Sequence, residues 1–202
     1  VIGTTGYSHD ITERKRAEDE IHRRADELTA LYESSQTLAG KISLDDVLQA
    51  ITESALSLFD TTGIGLYLYD PAARILEVKM AAHTTIPLGT RLSLGEGLAG
   101  KVAQTRRAMR IDDYAAWEGR SPKYEGIPVR ATLETPLIYQ DELIGVLAVH
   151  ETGGSQRKFT EADERLLSLF AAQSAAAIQN ARLFEDLRLR LAEMESLQAV
   201  AS

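Results

Sequence analysis

The segment HDITERKRAEDEIHRRADELTALYESSQTLAG is strongly charged and carries no Gly or Pro before Gly40, a pattern that predicts one long helix. Asp10, with Glu13 three places on, resembles a capping box. Ala17, Ile21, Leu28, Leu31 and Leu38 fall on one 3–4 seam, the spacing of a coiled coil. Arg24 and Ser35 occupy the remaining seam positions and weaken it. A second helix is predicted over Leu44–Phe59, with Ser43 as its cap and Asp46 at the third position. Val47, Leu48, Ile51, Ala55 and Leu58 give it one apolar face.

Beyond this helix the period changes to two. IGLYLYD, ILEVKMAA and RLSL read as strands, and Asp70-Pro71 supplies a turn between the first two. ATLETPLIY and LIGVLAVH follow as a strand pair joined through Gln140-Asp141-Glu142, a connection short enough to require an antiparallel hairpin. A last helix begins near Phe159 or Thr160 and meets no Gly or Pro afterwards. Residues 166–181 are apolar on more than one side, which predicts cover on two sides. From Phe184 a narrower seam continues through Leu187, Leu191 and Met194, flanked by Glu185, Asp186, Arg188, Arg190 and Glu193, and predicts a coiled coil leaving the domain. ADELTALYESS and LAEMESLQAVA share the order of their acidic and apolar positions, a faint internal repeat.

The stretch GEGLAGK, residues 95–101, fits the dinucleotide fingerprint G-x-G-x-x-G, and Asp112 and Asp113 follow near the spacing of a ribose-binding carboxylate. A dinucleotide-dependent enzyme would need a fully apolar strand before this turn, then a long crossover helix into a parallel strand. Here Arg91 and Ser93 alternate with Leu92 and Leu94, the helix has room only to about Arg106, and a hairpin follows. The dinucleotide reading is therefore the weakest of those considered.

Composition narrows the chemistry. The 202 residues carry a net charge of −8 and leave no basic stripe for nucleic acid or an anionic membrane. There is no cysteine, which excludes disulfides, thiol nucleophiles, thiolate metal sites and thioether-linked cofactors. No apolar run reaches the roughly 18 residues of a membrane span, and VIGTTGYSHD lacks the pattern of a signal peptide. A cytoplasmic location is expected, with no membrane contact by this segment.

Three blocks, GEGLAGKVAQTRRAMRIDDYAAW, LETPLIYQDELIGVLAVHE and FTEADERLLSLFAAQSAAAIQNARLF, resemble in order the signature blocks of a GAF domain. The resemblance covers residues 42–184. It implies an α+β fold: a central antiparallel sheet with the terminal helices on one face, a small-molecule pocket on the other, and long flanking coiled-coil helices. Gly97 and Gly100 then become turn and close-packing glycines. VIGTTGYSHDITERKRAE resembles the last strand and exit of a PAS domain. The implied organisation is the end of a PAS domain at 1–12, a connecting signalling helix at 13–41, the GAF domain at 42–184 and an output coiled-coil helix at 185–202. Such modules are commonly wired to histidine kinases or diguanylate cyclases in two-component and related signal transduction.

By the same resemblance, Leu98 and Ala99 would wall the pocket, Ile111 and Asp113 would approach from a strand end, and Trp117, Tyr124 and Val129 would belong to a lid. The competing view is that Trp117 and Tyr124 fill a collapsed cavity. Phe159, Asp163 and Glu164 match part of the motif of cyclic-nucleotide-binding GAF domains, where a Lys pairs with the Asp. His150-Glu151 stands where that motif has Asn-Lys, so binding of cAMP or cGMP is not expected, and Thr160 with Asp163 reads first as a helix cap. None of His9, His22, His83 and His150 has metal-site spacing. Haem on His83 or His150 is a minor reading, covalent bilin and thiol-based methionine-sulfoxide reduction are excluded, and the cofactor is otherwise left open. The leading expectation is a non-catalytic sensor that binds a small molecule or dimerises, with a cyclic-nucleotide receptor second. A parallel homodimer is expected through Ile21, Leu28 and Leu31 in the first helix and Phe184, Leu187, Leu191 and Met194 in the last.

Overall fold

A computed structural model of the chain describes residues 43–200. The expected PAS end, the first long helix and its seam at Ile21, Leu28 and Leu31 lie outside the described residues, as do the side chains of Leu191 and Met194. The order is α1 (Leu44–Phe59), β1 (Gly63–Asp70), β2 (Ile75–Ala82), β3 (Arg91–Ser93), α2 (Gly97–Thr105), β4 (Met109–Ile111), β5 (Val129–Tyr139), β6 (Glu142–Thr152) and α3 (Glu161–Val200). The strands form one six-stranded sheet in the order β3-β2-β1-β6-β5-β4, antiparallel at every pairing. This is the expected α+β sheet with helices.

Strand alternation sorts the side chains between two cores. Ile64, Leu66 and Leu68 of β1, Leu133 and Leu137 of β5, and Leu147 and Val149 of β6 pack under α1 and α3 with Ile51, Phe59, Leu167, Phe170 and Ile178. Tyr67, Leu76, Val78, Val146 and Ala148 point the other way and pack with Leu98, Ala99, Val102 and Ala103 of α2. The hairpin turn is Gln140-Asp141, with φ of 47° and 65°, the double positive φ of a two-residue turn whose twist suits paired strands. β4 pairs only with Thr132–Glu134, so Pro136 sits where β5 has become an edge and its missing N–H costs no ladder bond.

The helix starts are local chemistry. Ser43 Oγ accepts from Asp46 N at 3.2 Å. At α3 the cap is reciprocal: Asp163 N donates to Thr160 Oγ1 at 3.2 Å and Thr160 N to Asp163 Oδ2 at 2.7 Å. Thr160→Ala is expected to cost about 1 kcal/mol in urea denaturation, and no change would show that the cap is idle.

Two longer ties fasten α1 to α3. At one end, Leu44 N donates to Glu185 Oε1 at 2.9 Å. At the other, Arg157 donates to Phe59 O and, at 2.9 Å, to Asp60 O. It also pairs with Asp163 at 3.2 Å and lies 3.8 Å from the buried Glu151. Arg157 thus joins the carbonyl end of α1, the end of β6 and the first turn of α3, a favourable place for a cation beside open carbonyls.

Candidate functional site

The face opposite α1 and α3 holds a small cavity, and the floor is set by β1. Gly63, Gly65 and Tyr67 point toward it by strand parity. A Cβ on Gly63 would lie 2.4 Å from His150 Nε2, and one on Gly65 would lie 3.3 Å from Tyr67 Cε2. These two bare positions are where the His150 and Tyr67 side chains lie down. Register explains the juxtaposition: Gly63 pairs with His150, which pairs on its other side with Thr132. Glu134 pairs with Ala148, whose small side chain leaves room beside the carboxylate. The lining is completed by Ile86, Tyr114, Tyr124, Ile127 and Val129 around Tyr67, Thr132, Glu134, Ala148 and His150. The cavity volume is ≈ 20 Å³, about the space of one or two water molecules.

The polar groups here are incompletely paired. Tyr124 Oη donates to Tyr67 Oη at 3.2 Å. Glu134 is 6% exposed; its Oε1 accepts from Thr132 Oγ1 at a long 3.4 Å, and its Oε2 has no partner. His150 is 2% exposed and its Nε2 has none either. Burial pushes the Glu134 carboxyl up to about 8, against a small opposing pull from the Thr132 hydroxyl. Burial pulls His150 down to about 4, so its imidazole is neutral near pH 7. The Tyr67, Tyr114 and Tyr124 hydroxyls are all raised, first by burial.

A lid formed by residues 112–128 covers the cavity, and the GEGLAGK stretch fastens it. Glu96 accepts from Ser121 Oγ at 2.8 Å, from Ser93 N at 3.0 Å and from Lys123 Nζ at 2.9 Å. Partial desolvation works against ionisation of Glu96, but these donors hold its carboxyl below the usual range. Gly97 has φ of 64° and meets Ser121 Cβ at 3.2 Å from where its own Cβ would be. A Cβ at Gly100 would lie 2.4 Å from Ser93 O. These glycines therefore serve a turn and two close approaches, and no phosphate cradle is needed to explain them.

Of the residues expected at the pocket, Tyr124 and Val129 line the cavity. Leu98 and Ala99 are buried in the adjoining core, and Ile111 and Trp117 pack partly buried against it. Trp117 lies 5.7 Å from Tyr114, ring to ring, with Lys101 Nζ 4.8 Å from its centroid. Asp113 is exposed and accepts from Ala116 N at 3.1 Å, capping a turn in the lid. The sequence reading of the pocket did not include Tyr67, Tyr114, Thr132 or Glu134. A charged residue in the middle of the apolar strand ATLETPLIY was the available signal for Glu134. His83 is exposed at the end of β2 with φ of 54°.

The sequence profile described as "GAF domain" matches residues 41–179. The chain belongs to the GAF domain family. Its sequence is 24% identical over 160 residues to the Nif-specific regulatory protein of Herbaspirillum seropedicae, covering 72% of this chain and 28% of that protein. The chain thus spans little more than a quarter of this relative's length. The fold is similar to the GAF domain of an Acinetobacter phosphoenolpyruvate-protein phosphotransferase, with a TM-score of 0.69 and 22% identity over 79% of this chain and 97% of that one. It is also similar to residues 122 to 287 of a methyl-accepting chemotaxis protein, with a TM-score of 0.64 and 25% identity over 74% and 97%. GAF domains of this kind occur in regulatory and sensory proteins.

Within the GAF fold, Glu151 stands where the nucleotide-binding motif has Lys and, as expected, supplies no positive charge to Asp163. Arg157 supplies that charge to Asp163 from six residues upstream. Neither Arg157 nor Asp163 lines the cavity; their pair joins elements together.

Proposed function

We propose that this GAF domain is a non-catalytic sensory module that takes a small molecule into the lidded cavity and passes the change on through α1 and α3. One observation carries the reading: Glu134 and His150 each bring an unpartnered, buried polar atom to the same cavity. Buried polar atoms are normally satisfied, and a set left open toward one space is suited to a ligand. The ties at Glu185 and Arg157 make α1 and α3 one unit, so a shift of the sheet has a route to the exit helix. The likeness to a Nif-specific regulatory protein and a methyl-accepting chemotaxis protein supports a regulatory role. A cyclic nucleotide is the poorer reading, because among the residues lining the cavity no Lys or Arg is present to receive its phosphate.

We propose a PAS domain upstream, on the resemblance of the first residues to a PAS exit, and a kinase or cyclase output as the kind of downstream partner. Among the described residues no helix is long and apolar enough to cross a membrane. Native mass spectrometry of the purified chain tests the ligand reading. A retained small molecule, lost when Tyr124 and Glu134 are replaced by Leu and Ala, is the expected result; retention by that variant would move the site elsewhere.

Signalling is proposed to run through a parallel homodimer. Leu183, Phe184 and Leu187 stand roughly half exposed on α3, and the sequence carries the stripe on to Leu191 and Met194. Each fully buried Leu contributes about 1.5–3 kcal/mol, enough for a few layers to offset the entropy of association. In a parallel pair Leu187 meets its own counterpart. Leu187→Glu with Leu191→Glu is therefore expected to give a folded monomer by light scattering, with sheet content unchanged by circular dichroism. A double variant that stays dimeric would place the interface elsewhere.

A further inference from the structure

The charged and polar side chains at the cavity define what it can recognise. Glu134 is the one carboxyl there, and among the described residues lining the cavity there is no Lys or Arg. Its Oε2 faces no donor, and its single hydrogen bond, from Thr132, is long. The other groups are suited to the same kind of guest. His150 Nε2 is unpartnered, and three tyrosines contribute ring and hydroxyl. A carboxylate among aromatic rings, with no internal cation, is the arrangement that attracts an organic ammonium group through charge and ring quadrupole together. An anionic guest would meet Glu134 with no positive charge to receive it.

We propose that the cavity is a receptor site for a small organic cation, a protonated amine or methylated ammonium, held between the Glu134 carboxylate and the rings of Tyr67, Tyr114 and Tyr124. This rests on the reading of the cavity as a ligand site and adds the chemical class of the ligand. The ≈ 20 Å³ cavity admits the ammonium head, and a longer amine extends under a displaced lid. Binding requires the ionised form of Glu134, so it is coupled to proton release. The groups facing Glu134 from each element are Tyr67 of β1, Tyr114 and Tyr124 of the lid, Thr132 beside it on β5 and His150 of β6. The tyrosines are raised and His150 is already neutral above about pH 4, which leaves Glu134, near 8, to set the pH dependence between pH 5 and 9.

The test is an NMR titration of the full, isotope-labelled chain with methylammonium, methanol and formate. Two heavy atoms limit methylammonium to millimolar affinity at best, which such a titration resolves. Methylammonium is expected to shift the Glu134 carboxyl and tyrosine ring signals at pH 9. Its affinity should fall about tenfold for each unit below pH 8, as competition with a single proton requires. Glu134→Gln, with its fold checked by circular dichroism, should abolish those shifts, and Tyr114→Leu should weaken them. The wild-type pH dependence keeps the test decisive even where a variant misfolds. If formate or methanol binds as well or better, the cation class is wrong while the receptor reading stands. If methylammonium binds equally at pH 5, the charge is held elsewhere and the proposal fails. If none of the three probes moves the cavity signals, both the proposal and the receptor reading fail.

Discussion

Glu134→Gln is expected to gain about 3–5 kcal/mol relative to the wild type between pH 4.5 and pH 9. The carboxyl titrates near the ordinary glutamate value in the unfolded chain and near 8 when buried in the folded one. Between those values the folded state holds the extra proton, so wild-type stability is fully present below about pH 4.5 and is lost as pH rises through about 8. Each unit of difference is worth about 1.4 kcal/mol, which sets the upper figure. Gln does not titrate and leaves only a fixed offset. His150 slopes the other way: its folded value near 4 lies below the unfolded one, so its contribution is present above about pH 6.5 and lost as pH falls through about 4. That term is common to both proteins and cancels in their difference. Urea denaturation across the range measures it, and a difference that stays constant with pH would show that Glu134 is not held neutral by burial.

Arg157→Met is expected to destabilise the domain by about 3 kcal/mol. Breaking a buried ion pair from one side leaves an uncompensated charge, which is the expensive way to break it. Glu151 is 2% exposed and its Oε1 has no hydrogen-bond partner, so Arg157 at 3.8 Å is its compensation. Partial exposure of Arg157 and the length of that contact keep the figure at the lower end of the range. The substitution also removes donors from Phe59 O and Asp60 O, where α1 ends. The guanidinium also lies over the Phe159 ring, with Cζ 5.3 Å from the centroid, a contact that Met gives up with the charge, so the loss reports the guanidinium. Adding Glu151→Gln should recover part of the stability in a double-mutant cycle. A single-variant loss below about 0.5 kcal/mol would mean that Arg157 contributes no more than an exposed surface charge and does not fasten α1 to α3.

Both residues show how function is distributed. Glu134 is placed at an energetic disadvantage that the domain tolerates, a common mark of a binding position. Arg157 gathers three elements at the end of the sheet away from the hairpin turn, where a change in β6 reaches both terminal helices. The exposed apolar stripe proposed for dimerisation begins on α3 just where Glu185 ties it to α1. Cavity, sheet and α3 are thus linked by named contacts, each open to substitution.

The sequence by itself determined the elements and their order, because the signals for them are local. Ser43 and Thr160 with Asp163 mark helix starts within one turn of chain, and the alternation of LETPL and LIGVLAV about Gln140-Asp141 dictates an antiparallel hairpin. Tertiary structure alone decided what those elements bring together. Gly97 is read from sequence as a phosphate cradle or a turn; its packing role is set by Ser121, which arrives from the lid, and Glu96 becomes the lid's fastening only when Lys123 is laid beside it. Glu134 and His150 share a cavity because β5 and β6 pair in one register, and the floor under His150 is bare because β1 brings Gly63 opposite it. A shift by one residue would send each of them to the helical face. Asp163 drew its cation from Arg157 instead of the position of Glu151, since charge pairing depends on distance in space. The physical reason is common to all of these: caps, turns and periodicity act between neighbours in the chain, whereas a site is made by side chains whose proximity exists only after the sheet has closed.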